Sequence, residues 1–224
     1  CIGILAALIV LCLAVLIPVR LFTELPSFVF RKLLHVIAVS GVTLMIILSP
    51  RWQAAAATSA VIALACYPLL TVLEQESWFS TMFVQKSPGE IKRSLLLLML
   101  MFTAVISLAW GLFGRMHLAA SAIIMWGAGD AAAALVGIPF GRHKIICRFT
   151  DGKKSREGSI AMFIVSFAAG LSVLMLTEGV SLAGALLSAA AGAVAGTAAE
   201  LFTPGEYDTF TVPLAVLAVL LIMG

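Results

Sequence analysis

Apolar runs close to the length of a bilayer crossing succeed one another along this chain, divided by short charged or turn-rich segments. From the N-terminus they cover residues 1–17, 33–48, 53–73, 94–113, 118–138, 159–176, 182–199 and 210–223. Each approaches the roughly 20 residues that an α-helix needs to cross hydrocarbon. The runs are continuous and do not alternate, which predicts helices and not barrel strands, since a spanning segment must satisfy its own backbone hydrogen bonds. The pattern predicts an all-α, polytopic membrane protein of about eight transmembrane helices, forming a single domain over residues 1–224.

Composition narrows the class further. Hydrophobic residues make up 62% of the chain and charged residues 11%, with a mean hydropathy of +1.14, outside the range of soluble domains. Of the 14 Lys and Arg, all but Arg51 and Arg115 fall in the odd-numbered loops: Arg20, Arg31, Lys32, Lys86, Lys92, Arg93, Arg142, Lys144, Arg148, Lys153, Lys154 and Arg156. By the positive-inside rule those loops are cytoplasmic and both termini face the other side. The pI near 8.8 describes a basic membrane face suited to anionic lipid or a nucleotide, and no aromatic interleaving marks it for nucleic acid. Cys1, Cys12, Cys66 and Cys147 form no C-x-x-C pair, so neither zinc nor a disulfide framework is expected.

Small residues locate the tight packing. Gly184, Ser188, Gly192 and Gly196 recur every four residues in the seventh run, and Gly127, Ala131 or Ala134, and Gly137 do the same in the fifth. Such stripes let helices approach closely.

Against this background the polar residues inside apolar runs call for a reason. Asp130 lies within Trp126-Gly-Ala-Gly-Asp-Ala-Ala-Ala-Ala-Leu-Val-Gly137, and an ionised group there costs several kcal/mol unless it meets a cation or a polar cavity. Arg31-Lys32-Leu-Leu-His35 opens the second run, with spacings of three and four that put the imidazole on the same helical face as both cations. Arg and Lys at a helix end are commonly topogenic, but His35 lies a turn deeper. The loop 139–159 carries Gly141-Arg142-His143-Lys144 and Lys153-Lys154-Ser155-Arg156-Glu157-Gly158-Ser159. Ser155 is placed as an N-cap, and the free N–H groups behind it, reinforced by Lys153 and Lys154, are suited to phosphate. A solvated topogenic loop is the alternative. Glu200 closes the seventh run, and Glu206 and Asp208 follow; carboxylates beside a basic loop are suited to a Mg²⁺ that bridges nucleotide phosphates.

Taken in order, Arg31-Lys32-x-x-His35, Gly129-Asp130-x-x-Ala133-x-x-x-Gly137, Gly141-x-His143-Lys144, Lys154-Ser155-x-Glu157-Gly158-Ser159 and Glu200 to Asp208-x-x-Thr211-Val-Pro213 resemble the polyprenol/dolichol kinase, phytol kinase and CTP-dependent diacylglycerol kinase family. The resemblance covers about residues 31–214 and departs at Arg156 and Thr209. It implies an integral membrane enzyme that moves a phosphoryl group from CTP, or another nucleoside triphosphate, to a lipid alcohol. By position it implies functional roles for Arg31, Lys32, Asp130 and Gly137, and for Lys154, Ser155, Glu157 and Gly158. On that footing Mg²⁺ is expected at Asp130 with Glu200 or Asp208, and the triphosphate at Arg142, Lys144, Lys153 and Lys154. Arg31 and Lys32 are expected at the remaining phosphate or the lipid edge, with His35 or Asp130 taking the alcohol proton. CDP-diacylglycerol synthases also use CTP in a membrane domain, but their Lys-Asp, His-Gly-Gly and Asp-Arg-x-Asp run is missing here. A transporter of an anionic solute is the more distant alternative, and it predicts paired half-repeats that the chain does not show.

The charge distribution makes a direct prediction about sidedness. In a background without native cysteines, Lys153→Cys and Glu206→Cys are both expected to react with a membrane-impermeant thiol reagent from the cytoplasmic side. Labelling from opposite faces would exclude a shared site.

Overall fold

The computed structural model describes residues 25–76, 79, 89–146, 150, 152–177, 179–203 and 207–223, with isolated positions among the first 23. Most of the first expected span lies outside the described residues, as do Lys86, Cys147, Arg148, Asp151 and Glu206. Among the described residues are seven apolar helices: α1 Ser27–Leu48, α2 Trp52–Leu73, α3 Glu90–Ile106, α4 Met116–Phe140, α5 Arg156–Met175, α6 Leu182–Phe202 and α7 Asp208–Met223. Helix α3 runs on into a π-helical stretch, Ser107–Leu112. Six of these helices, with α3 counted through Leu112, are long and apolar enough to cross a bilayer, and α7 is a shorter apolar helix of 16 residues. The protein is an integral membrane protein built from helices.

Helices α1 to α7 match the second to eighth runs, with one systematic difference. The charged turns assigned to loops are already helical: α1 begins at Ser27, directly after Pro26, and α3 begins at Glu90. Glu, Lys and Arg are good helix formers whose stems lie along apolar surface, so hydropathy alone cuts such helices short. Ser155 caps α5 as expected, accepting from the Gly158 N–H at 3.2 Å, and Ser181 does the same for α6 through Gly184 at 3.1 Å.

Helix α4 is the hub. It packs most extensively on α5 and also touches α1, α3, α6 and α7, so it is apolar on every side. Glycines permit this crowding. A Cβ at Gly127 would collide with Val39 of α1, one at Gly129 with Ser166 of α5, and one at Gly170 of α5 with Met125. A Cβ at Gly192 would lie 2.9 Å from Met125, and one at Gly196 2.9 Å from Val216 of α7. The α6 stripe is thus an interface at Gly192 and Gly196, whereas Gly184 faces only the hydroxyl of its own cap, Ser181. Ser166 adds an interhelical hydrogen bond to the Met125 carbonyl at 2.7 Å.

Six other hydroxyl groups in the helices or at their ends look after themselves. Thr43, Ser49, Thr58, Thr71, Thr103 and Thr177 each donate to the carbonyl four residues earlier. That habit removes their cost in an apolar setting.

Gly127→Leu is expected to destabilise the bundle by roughly 1–3 kcal/mol or more, because Val39 leaves no room for a side chain. Leu187→Ala, on an exposed face of α6, is expected to leave the thermal midpoint in detergent nearly unchanged.

Candidate active site

The starts of α1, α3, α5 and α7 and the ends of α4 and α6 meet at one end of the bundle. Asp130 lies ten residues before the end of α4, roughly 15 Å along its axis. Two α1 side chains reach it: Lys32 Nζ at 2.6 Å from Oδ2 and His35 Nε2 at 3.5 Å. The His35 ring meets the Trp126 indole edge to face, with centroids 4.9 Å apart and planes at 84°. Trp126 precedes Asp130 by one helical turn, so a single face of α4 supplies both the wall and the carboxylate.

Arg31 does not join this group, contrary to the expected common face. Adjacent helical residues point about 100° apart, so Arg31 and Lys32 cannot both face α4. The Arg31 guanidinium turns to Glu90 of α3 at 2.8 Å, a carboxylate only 3% exposed at the start of its helix. Glu90 is missed by a reading of spacings, because a lone acid ahead of an apolar run looks like an ordinary loop residue. A second pair, Lys92 with Glu74 at 3.0 Å, ties the start of α3 to the residue that ends α2.

Three carboxylates from three helices converge. Asp130, Glu200 near the end of α6 and Asp208 at the start of α7 each bring an oxygen within 4.8 Å of the others. Lys154, from the segment that leads into α5, is ion-paired to Glu200. Burial opposes its charge, but Glu200, Asp208 and Asp130 outweigh that and hold its pKa above the ordinary lysine value. Lys32 and Lys154 are thus set against three carboxyl groups. Two of its atoms are buried without a hydrogen-bond partner, His35 Nε2 and Glu200 Oε2. Hard oxygen donors in excess, with one carboxylate oxygen uncommitted, are a donor set that fits Mg²⁺.

The basic loop is folded back on itself. Lys144 and Ser155 form an antiparallel bridge, Ile145 N–H donates to the Lys154 carbonyl at 3.0 Å, and Arg156 N–H to that of His143 at 2.9 Å. Glu157 accepts from the His143 backbone at 3.2 Å and lies 2.6 Å from its Nδ1. This clasp sends the Lys154 side chain inward, while Arg142, Lys144 and Lys153 are exposed and Lys144 reaches the Lys153 carbonyl at 3.2 Å. The remaining expected site residues form the wall behind it. Gly137 and Gly158 bring α4 and α5 together around the Ser155 hydroxyl, where a Cβ on Gly158 would lie 3.2 Å from Gly137 Cα. The expected residues thus divide into a half-buried cluster (Lys32, His35, Asp130, Lys154, Glu200, Asp208), an exposed basic rim and a structural seam.

Neither a family model nor a solved structure matches the chain. Among curated proteins it is 32% identical over 211 residues to the phytol kinase of Synechocystis sp., a match that spans 90% of this chain and 83% of that protein. The five ordered motifs lie within a membrane bundle of the expected kind, and the likeness runs across nearly the whole of both chains. The protein therefore belongs to the CTP-dependent lipid kinase family that includes phytol kinase, and it is a lipid kinase.

Proposed function

We propose that this chain transfers the γ-phosphoryl group of CTP to the hydroxyl of a long-chain isoprenoid alcohol such as phytol, at the cytoplasmic end of the bundle. The observation that carries the reading is the convergence of Asp130, Glu200 and Asp208 with Lys32 and Lys154 inside an apolar bundle. Phosphoryl transfer asks chiefly for neutralised phosphate charge and an aligned acceptor oxygen, and this set of groups offers both. Asp130, Glu200 and Asp208 would hold a Mg²⁺, whose chemistry is to neutralise charge on the phosphate oxygens.

In this reading the chain's own groups act as follows. Arg142, Lys144 and Lys153 on the rim draw the nucleotide in. Lys154 and Lys32 trade part of their contact with the carboxylates for phosphate oxygens. Gly137, Ser155, Glu157 and Gly158 keep the wall and the clasp in shape, and Arg31, held by Glu90, fixes the rotation of α1. The alcohol arrives from the bilayer with its tail left among the helices. Its oxygen attacks the γ-phosphorus, the bond from that phosphorus to the bridging oxygen breaks, and CDP leaves. The alcohol proton passes to His35 Nε2, which is buried, uncommitted and next to Asp130. The surrounding apolar helices exclude water, which limits hydrolysis of the nucleotide.

Purified protein given phytol and CTP labelled at either the γ- or the α-phosphate is expected to move label to the lipid only from the γ position. Transfer from the α position would identify a cytidylyltransferase instead. Asp130→Asn, near-isosteric but uncharged, is expected to abolish turnover in a protein that still folds, with a lowered thermal midpoint because Lys32 loses its partner. An active Asn variant would reduce Asp130 to a packing residue.

Lys154→Ala removes one charge-assisted phosphate contact, worth about 1.5–3 kcal/mol. Activity is expected to fall roughly one to two orders of magnitude, with a rise in the KM for CTP. Unchanged nucleotide kinetics with weaker binding to anionic vesicles would make the loop a lipid anchor.

A further inference from the structure

Most polar atoms within the helices find partners, so the few that do not are informative. Among the described residues four buried side-chain atoms lack one: His35 Nε2, Ser121 Oγ, Thr197 Oγ1 and Glu200 Oε2. His35 and Glu200 belong to the cluster already described. Ser121 lies nine residues up α4 from Asp130, about 14 Å away along the axis. Thr197 is different in two respects.

Its position on α6 is three residues before Glu200, which places both on one helical face with Cβ atoms about 5–6 Å apart. Helical side chains also lean toward the N-terminus, so the Glu200 carboxylate inclines back over the turn that holds Thr197. Its rotamer sets it further apart. Thr43, Thr58, Thr71, Thr103 and Thr177 all satisfy their hydroxyls on the carbonyl four residues back, whereas Thr197 makes no such bond to Ala193. A free hydroxyl in an apolar bundle forgoes an easy partner only at a cost. An uncommitted hydroxyl and an uncommitted carboxylate oxygen thus share one face of α6, the hydroxyl one turn further from the helix end than Glu200.

We infer that Thr197 is a substrate-binding residue whose hydroxyl hydrogen-bonds the oxygen of the lipid alcohol, holding it below the triphosphate. The inference rests on the lipid-alcohol reading above and adds the residue that grips the acceptor. A hydroxyl of the substrate suits these two groups on three counts: it both donates and accepts, it arrives from the bilayer side, and it needs a fixed orientation for in-line attack.

The test compares Thr197→Val, which keeps the shape and removes the hydroxyl, with Thr197→Ser, which keeps the hydroxyl. In detergent or bicelles with phytol and CTP, Thr197→Val is expected to raise the KM for phytol roughly three- to ten-fold, the worth of one neutral hydrogen bond, and to leave the KM for CTP unchanged. Thr197→Ser is expected to restore the wild-type value. A readout independent of turnover is the rise in thermal midpoint on adding phytol alone, which should shrink in the Val variant and return in the Ser variant. An unchanged phytol KM and midpoint shift in Thr197→Val, or equal losses in Val and Ser, would overturn the assignment and leave the hydroxyl to a structural water or to packing. A wild-type protein that phosphorylates no lipid alcohol would instead overturn the reading on which it rests.

Discussion

The ion pair between Asp130 and Lys32 is the contact on which the rest of this arrangement depends. A lone carboxylate ten residues inside the central helix of an apolar bundle is costly, and a buried pair recovers that cost only with close geometry and further polar neighbours. The 2.6 Å approach of Lys32 supplies the first condition, and His35 and Lys154 supply the second. Removing either partner would leave a charge in hydrocarbon, so α1 and α4 are bound to each other by electrostatics as well as by the fit of Gly127 against Val39. The rotation of α1 follows from this. With Lys32 committed to α4, Arg31 has to face elsewhere, and Glu90 of α3 receives it.

Crowding and charge support each other in the same helices. The glycines at 127, 129, 170 and 192 let α1, α5 and α6 close on α4, and Gly196 lets α7 close on α6, a closeness that goes with acids from α4, α6 and α7 sharing a space less than 5 Å across. Like charges held so near one another repel unless cations intervene. Lys32 and Lys154 do so from opposite sides, one on a membrane helix and one at the foot of a loop. The cluster is in this sense assembled by its counterions, which are also the groups best placed to exchange carboxylate for phosphate.

Much of this was legible in the amino-acid sequence, for physical reasons that also explain the gaps. Apolar runs of bilayer length identify α1 to α7 because hydrocarbon tolerates little else. The ends of α1 and α3 were read short, since charged helical turns and loops have the same composition. Asp130 and His35 stood out as polar residues inside apolar runs, and Lys32 followed from its spacing. Arg31 was placed on the wrong face because spacings of three and four both satisfy a helical neighbour rule, and only the third dimension decides between them. Glu90 gave no signal, since its partner lies 59 residues away. The small-residue spacing marks Gly137 as a close-packing position, whereas Gly158 reads as part of the Lys154–Ser159 element, and its place opposite Gly137 depends on the depth at which two helices cross, which no linear pattern records. Thr197 was invisible for a similar reason: what distinguishes it is a bond it does not make.

The clasp between residues 143–145 and 154–157 has a consequence for how such a protein tolerates change. Because the Lys144–Ser155 bridge, the two backbone bonds beside it and the His143–Glu157 contact close the loop at its base, the direction in which Lys154 enters the bundle is set below the tip. Chain length beyond that closure costs little, as the entropy of a loop grows only slowly with its size. The base of the loop thus acts as a fixed bracket: what has to be kept for the lysine to stay aimed at Glu200 is the closure, and not the length of chain that it closes.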